Sequence, residues 1–288
     1  MTTGAYRPTG MNLTVKHTSR YTYSKPVTLL PHIIRLRPRC DGTVRLVRFE
    51  AQIEPQPLTL SACLDLEGNS VIHAWFRDST THLTIRTSFE VETGRVNPFD
   101  YLLAAAAENL PIHYGGEMAG AQNRYLLRAD NEDSVATFAR SIAASAGGRT
   151  LAFLDALNGE IYNSCPISIR EEGAPFPPAH TLEHRQGSCR DVAMLFVDAC
   201  RAMGIAARFV SGYRQGSIGL QRRYMHAWPE VYLPGGGWRG YDPTHGMAVA
   251  DEYVAVAASY EPPGATPIEG GFRGTGALST LEAHIELS

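Results

Sequence analysis

The chain carries five cysteines, Cys40, Cys63, Cys165, Cys189 and Cys200. One of them sits where a thiol can do chemistry. Cys189 follows Gly187-Ser188 and opens a run in which Val192, Phe196, Ala199 and Met203 fall on one helical face. A thiol in the first turn meets unpaired backbone N–H groups and the positive end of the helix dipole. Both favour thiolate over thiol near neutral pH. The same N–H groups can donate to an oxyanion forming on a substrate carbonyl. A cysteine that serves only as a small hydrophobe belongs among apolar neighbours. That description suits Cys200, mid-helix near the apolar face. It does not suit Cys189, flanked by Ser188, Arg190 and Asp191.

A thiolate nucleophile needs a base and proton donor beside it, usually histidine. Of ten histidines, His226 has the most suggestive company. It opens the strand His226-Ala227-Trp228-Pro229-Glu230-Val231-Tyr232, whose even positions share one face. Three glycines, 235–237, turn the chain back, and Trp238, Gly240 and Asp242 share a face of the returning strand. If the hairpin pairs even with even positions, His226 and Asp242 lie opposite or one diagonal step apart, about 5 to 8 Å between backbones. A carboxylate there would fix the imidazole tautomer and stabilise its charge. A one-residue slip would separate them onto opposite faces. In that case His245 becomes the alternative base.

Other polar residues carry less. His180 and His184 have the i, i+4 spacing of a helical metal pair, but no zinc motif accompanies them, so no metal is expected. Asp191 reads as a first-turn helix charge. Trp228 is either a wall of the site or core packing. Glu230 reads as a solvated or paired carboxylate. Gly270-Gly271-Phe272-Arg273-Gly274 lacks the strand-to-helix setting of a phosphate loop and reads as a flexible loop. No cofactor is implied.

The elements that must position these residues fall into two kinds. Residues 1–10 read as a flexible lead-in. Residues 11–96 alternate apolar and polar in short runs: from Leu13, at 32–37, 46–53, 63–66, 70–76 and 82–91. With Gly, Pro and Asn between them, these suggest an antiparallel, sandwich-like β domain. Residues 97–125 form a connector. Residues 126–288 read as the catalytic domain. Helices are expected over 131–146, capped by Asn131 or Asp133, over 150–162 and after Cys189. Strands are expected over 205–213, 226–233, 238–241, 253–257 and 284–287, and residues 171–180 as loop. The fold class is therefore α+β.

Bulk properties exclude several functions. Hydrophobic residues make up 44% and charged residues 19%, a globular balance. The net charge of −3 and the scattered arginines give no basic stripe for nucleic acid. No apolar run reaches the roughly 20 residues of a membrane helix, and no signal peptide is legible. An odd number of cysteines argues against a disulfide framework, and cytoplasmic residence is the default. Oligomeric state is not legible.

The run Gly187-Ser188-Cys189-Arg190-Asp191, with Leu195-Phe196, Cys200-Arg201-Ala202-Met203-Gly204-Ile205-Ala206-Ala207-Arg208 and Val210-Ser211-Gly212-Tyr213, resembles the core of the bacterial transglutaminase-like proteins, often assigned as cysteine proteases. The strand from His226 and the run Tyr241-Asp242-Pro243-Thr244-His245-Gly246 resemble that family's His and Asp blocks. His17, Tyr21, Tyr23, Pro26-Val27, Leu36-Arg37-Pro38 and Gly68-Asn69 resemble its β-rich N-terminal domain. The resemblance implies a papain-like core with a helix-borne cysteine packed on an antiparallel sheet. It also implies the roles of Cys189 as nucleophile, His226 as base and acid, and Asp242 as orienter. Papain-like enzymes place an oxyanion-hole Gln several residues before the nucleophile; here Gln186 stands three before it and position 183 is Glu. The eukaryotic enzymes' upstream Trp has no counterpart between Trp75 and Trp228. The expected activity is hydrolysis of a peptide or protein amide through a thioester acyl-enzyme. The alternatives are protein-glutamine transglutamination and a binding or scaffold protein that keeps the fold without turnover. Deglycosylation of glycopeptides would share the triad.

Overall fold

The computed structural model describes residues 10–115, 120, 123–128, 133–170, 172–216 and 224–288. The lead-in 1–9, the cap residue Asn131 and parts of the connector lie outside the described residues.

Alternating burial carries β1 (Asn12–Leu29) as one long strand. It runs past Pro26, where its register with β6 (Ser79–Thr93) shifts between Thr22 and Val27. Proline has no N–H to give the ladder, so the strand continues by breaking register there. β3 (Val44–Glu54) flanks β6 on the other side. A second antiparallel sheet contains β2 (His32–Ile34), β5 (Ser70–Trp75) and β4 (Thr59–Leu64). Tyr23, Val27, Leu29, Ile53, Leu83 and Ile85 from the first sheet bury against Ile34 and Ala74 from the second.

The middle of the chain is helical. α1 (Asn123–Leu126) is a single turn. α2 (Asp133–Ser145) and α3 (Thr150–Ser164) bury Val135, Ala139, Phe153, Leu157 and Ile161 on one side each, as their spacing predicts. α4 (Pro178–His184) occupies part of the segment expected to be loop. Pro178 stands in its first turn, where a missing N–H costs nothing. α5 (Cys189–Ala202) follows.

The last third is a mixed-length antiparallel sheet built from β7 (Ala207–Arg214), β8 (His226–Leu233), β9 (Gly237–Asp242), β10 (Met247–Ala248) and β11 (Tyr253–Ser259), in the order β10-β9-β8-β7-β11. α5 packs on one face, where Val192, Phe196 and Cys200 meet Ala207, Phe209, Ala227, Val231 and Leu233. Elsewhere the sheet buries Tyr213, Val254 and Val256 against Leu13, Val15, Phe89 and Val91 of the first sheet. Each fully buried large side chain of this seam contributes roughly 1.5–3 kcal/mol. The class is α+β with a helix-borne Cys on an antiparallel sheet, as the sequence indicates.

The chain's end returns to its beginning. β12 (Ile268–Glu269) pairs with β2, and β13 (Phe272–Arg273) and β14 (Ser279–Leu287) pair with β1. Within the glycine-rich run 270–274, read from sequence as a flexible loop, Phe272 and Arg273 form β13. Gly270 is needed where the His32 ring approaches: a Cβ there would lie 2.2 Å from a ring carbon. No helix among the described residues is long and apolar enough to cross a membrane.

Candidate active site

Ser188 is the N-cap of α5 and Cys189 its first helical residue. Asp191, three residues after the cap, accepts from Ser188 N–H and Ser188 Oγ, both at 2.7 Å. Its second oxygen accepts from Phe176 N–H at 2.7 Å and Arg170 Nη2 at 2.6 Å. Fully buried, this carboxylate does more than charge the first turn: it closes a capping box and fastens Arg170 and Phe176 to the helix start. Gly187 is required beside it, since a Cβ would stand 2.7 Å from Asp191 Cβ. The strand-like bridge between Gly187 and Ile167 completes the anchoring.

The hairpin pairs even with even positions: Glu230 opposes Gly240 and Tyr232 opposes Trp238. His226 and Asp242 are thus one diagonal step apart. His226 Nε2 donates to Asp242 Oδ2 at 2.7 Å. That leaves Nδ1 for the Cys189 thiol, with which the ring is hydrogen-bonded. Asp242 is fully buried, yet its oxygens are well supplied. Oδ2 also accepts from His245 Nδ1 at 2.8 Å and from the Tyr253 hydroxyl at 2.7 Å, and Oδ1 accepts from Thr244 N–H at 2.9 Å. The turn after Asp242 needs Gly246, whose φ of +68° is left-handed and whose Cβ would press on the Tyr162 ring at 2.9 Å.

The electrostatics follow from these contacts. Burial pushes the Cys189 thiol up. The hydrogen bond and charge of His226, the Ala227 N–H and the nearby Arg190 outweigh it, and the thiol lies below its ordinary value. Burial pulls His226 down, but Asp242 and Cys189 together raise it to about 9. Burial would raise Asp242, yet its imidazole partners hold it well below the usual carboxylate range. These contacts favour the thiolate of Cys189, the imidazolium of His226 and the carboxylate of Asp242. Cys200, by contrast, is buried in the core and its thiol is raised well above the ordinary value.

The remaining candidates separate cleanly. Trp228 is 1% exposed and packs edge-on to Tyr253 at 5.3 Å between ring centres, which makes it core behind His226 rather than a wall of the cleft. Gln186 is exposed between α4 and α5. Glu230 pairs with Arg208 at 2.6 Å. His180 and His184 stack on α4, 4.0 Å between ring centres. His226, Asp242 and His245 offer three ligand atoms within 4.8 Å of one another. Their separations of 2.7 and 2.8 Å are those of ring N–H groups donating to one oxygen, and a cation there would have to replace both protons. Tyr253 was visible in the sequence only as the start of a strand. No spacing rule links it to Asp242 eleven residues earlier.

The sequence model of the Transglutaminase-like superfamily matches residues 136–243, and that of the Bacterial transglutaminase-like N-terminal region matches residues 13–92. The chain belongs to the transglutaminase-like superfamily and carries its bacterial N-terminal region. An uncharacterized protein of Mycobacterium leprae is 26% identical over 95% of this chain and 97% of its own length. A stretch covering 23% of this chain is 37% identical to the protein-glutamine gamma-glutamyltransferase of Pseudomonas aeruginosa, 11% of whose length it spans. Among solved structures, a Cytophaga hutchinsonii protein titled "Putative Cysteine Protease" superposes with a TM-score of 0.71 at 18% identity, covering 97% of this chain and 90% of that one. That likeness is one of fold.

Proposed function

We propose that the protein is a cysteine-dependent amide hydrolase acting on a peptide or protein. The observation that carries the reading is the chain of contacts from the Cys189 thiol, at a helix N-terminus, through His226 to the buried Asp242 carboxylate. In the first half-reaction the Cys189 thiolate attacks the amide carbonyl carbon. The developing oxyanion is met by the Cys189 N–H, free of any intrahelical partner, and by Gln186 as the side-chain candidate. The His226 imidazolium then gives its proton to the leaving nitrogen as the C–N bond breaks, which leaves a thioester. In the second half, neutral His226 takes a proton from water, hydroxide adds to the thioester, and the thiolate departs to restore the ion pair. Asp242 keeps the Nε2–H pointed at itself and stabilises the imidazolium throughout.

Transfer of the acyl group to an amine uses the same first half. The local likeness to the Pseudomonas glutamyltransferase favours keeping this second reading. The two differ only in what enters the thioester. The test is to expose the wild-type protein and Cys189→Ala to a library of peptide amides and glutamine-containing proteins, with and without an added primary amine. The proposal predicts release of free acid that requires Cys189. Amine incorporation exceeding hydrolysis at millimolar amine would favour transfer. A Cys189→Ala variant as active as wild type would sink both.

A further inference from the structure

Asp242 Oδ2 takes two donors beyond the imidazole it is proposed to orient. Besides His226 and His245 it takes the hydroxyl of Tyr253, from a strand at the far side of the sheet. We propose that Tyr253 is a positioning residue of this site: its buried hydroxyl fixes the Asp242 carboxylate and moderates how strongly that carboxylate holds the His226 proton. This rests on the reading of Cys189, His226 and Asp242 given above.

Tyr253 is 4% exposed, and its hydroxyl donates to a fully buried acceptor. Burial, followed by the adjacent Asp242 charge, pushes the phenol far above its ordinary range, so it remains a donor at every working pH. Its ring is clamped by Trp228 at 5.3 Å between centres and lies under the Arg214 guanidinium at 5.6 Å. The hydroxyl therefore has a fixed direction rather than a rotating side chain's freedom. An oxygen shared among three donors offers less charge to each, so Tyr253 lowers the pull of Asp242 on His226 Nε2–H.

The strand that bears it is held from outside the catalytic sheet. β11 lies at the edge, paired on one side with β7. The N-terminal region meets its other flank at two points and the turn leading into it at a third. Thr93 Oγ1 donates to Asp251 O at 2.7 Å, and Arg39 N–H donates to Ala255 O at 2.8 Å. The fully buried Asn69 holds Ala258 from both sides, accepting its N–H at 2.8 Å and donating to its carbonyl at 3.0 Å. The Arg39 bond falls where β11 breaks register with β7, between Ala255 and Ala257. The N-terminal region thereby fixes the strand from which the hydroxyl reaches the site. Tyr253 lies beyond the stretch 136–243 that carries the superfamily match.

The groups facing the imidazole are Cys189 from α5, Asp242 from β9, His245 from the following turn and Tyr253 from β11. Arg190 acts on the thiol, and Arg214, paired with Glu252, lies over the phenol ring. The experiment measures the alkylation rate of Cys189 by iodoacetamide from pH 4 to 11, read by mass spectrometry against the exposed Cys40 and Cys63. It is run on the full chain as wild type, as Tyr253→Phe, and with 3-fluorotyrosine placed at 253 alone. Removing the hydroxyl should move the upper inflexion, the loss of the His226 proton, to higher pH by about half a unit to one unit. The more acidic fluorophenol should move it the other way while preserving the packing. Unchanged inflexions in both variants would overturn the positioning role, because lost packing alone lowers stability without shifting both in opposite senses. If Tyr253→Phe does not fold, the fluorotyrosine protein decides alone. A wild-type Cys189 no faster than Cys40 below pH 7 would instead remove the activated thiolate, and the role of Tyr253 with it.

Discussion

The groups of the proposed site are defined by a few short contacts, and each can be broken singly. Replacing Asp242 with Asn keeps the shape and removes the charge that, with Cys189, raises His226 to about 9. We expect turnover to fall on the order of 10²- to 10⁴-fold, the span of a lost acid–base partnership, with the alkaline limb displaced to lower pH. The sign follows from the ion pair. His226 must keep its proton to donate to the leaving nitrogen, so wild-type activity should persist through neutrality and decline as pH rises through about 9. A rate that instead rises steadily through pH 9 would show that His226 is not the proton donor. Much of this was legible in the sequence. Cys189 announces itself by the polar residues around it and the apolar helix after it. His226 and Asp242 were a conditional pair, because a hairpin containing three glycines can adopt either register.

The elements place the residues through contacts that hydrophobic periodicity does not encode. The start of α5 depends on Asp191, which gathers donors from Ser188, Phe176 and Arg170. Asp191→Ala would strip a buried cap of its acceptor and free the 170–176 segment. The expected cost is about 2–4 kcal/mol in urea denaturation, above an exposed cap's ~1 kcal/mol. A loss under half a kcal/mol would mean that this network does not hold the helix start. The seam between the first sheet and the sheet of β7–β11 contains a second polar device. His17 on β1 shares hydrogen bonds with Tyr213 Oη at 2.7 Å and Ser19 Oγ at 2.9 Å, and all three residues are buried. Burial lowers His17 to about 4. Its folded value thus lies below its unfolded one, so its contribution is complete above pH 6.5 and is lost as pH falls toward 4. That amounts to about 3 kcal/mol across the window. A His17→Gln variant should show a flatter dependence of unfolding free energy on pH between 7 and 4.5 than wild type; parallel curves would remove His17 from the account.

For the whole molecule the decisive feature is closure. β14 lies along β1 from Val15 to Tyr23 and buries Ile285 in the seam with the sheet of β7–β11. Deleting residues 279–288 would bare a long β1 edge and open that seam. Lower melting temperature and concentration-dependent association are expected, since an exposed strand edge pairs with whatever it meets. A monomeric deletion variant with unchanged melting temperature would show that β14 is ornamental to stability. The N-terminal region is equally bound into the rest. Asn69, from the β4–β5 turn, grips β11 as well as its own turn, where its amide donates to Asp65 Oδ2 at 2.9 Å. Sequence alternation revealed these strands but not their company. The strands of 268–287 hydrogen-bond to the first two strands of the chain.

What the sequence determined by itself is local or repeated along the chain: the α+β class, most strands and helices, the placement of Cys189 at a helix start, and membership in a family whose blocks are short and ordered. These follow from side-chain period, capping chemistry and turn residues, all of which act over a few positions. Tertiary structure alone decided the hairpin register that brings Asp242 to His226. It also decided the burial that sets the charges, and the arrival of Tyr253 and His245 on one carboxylate oxygen. The physical reason is that a carboxylate's partners are chosen by distance in space and by the exclusion of water. Neither quantity is a function of separation along the chain.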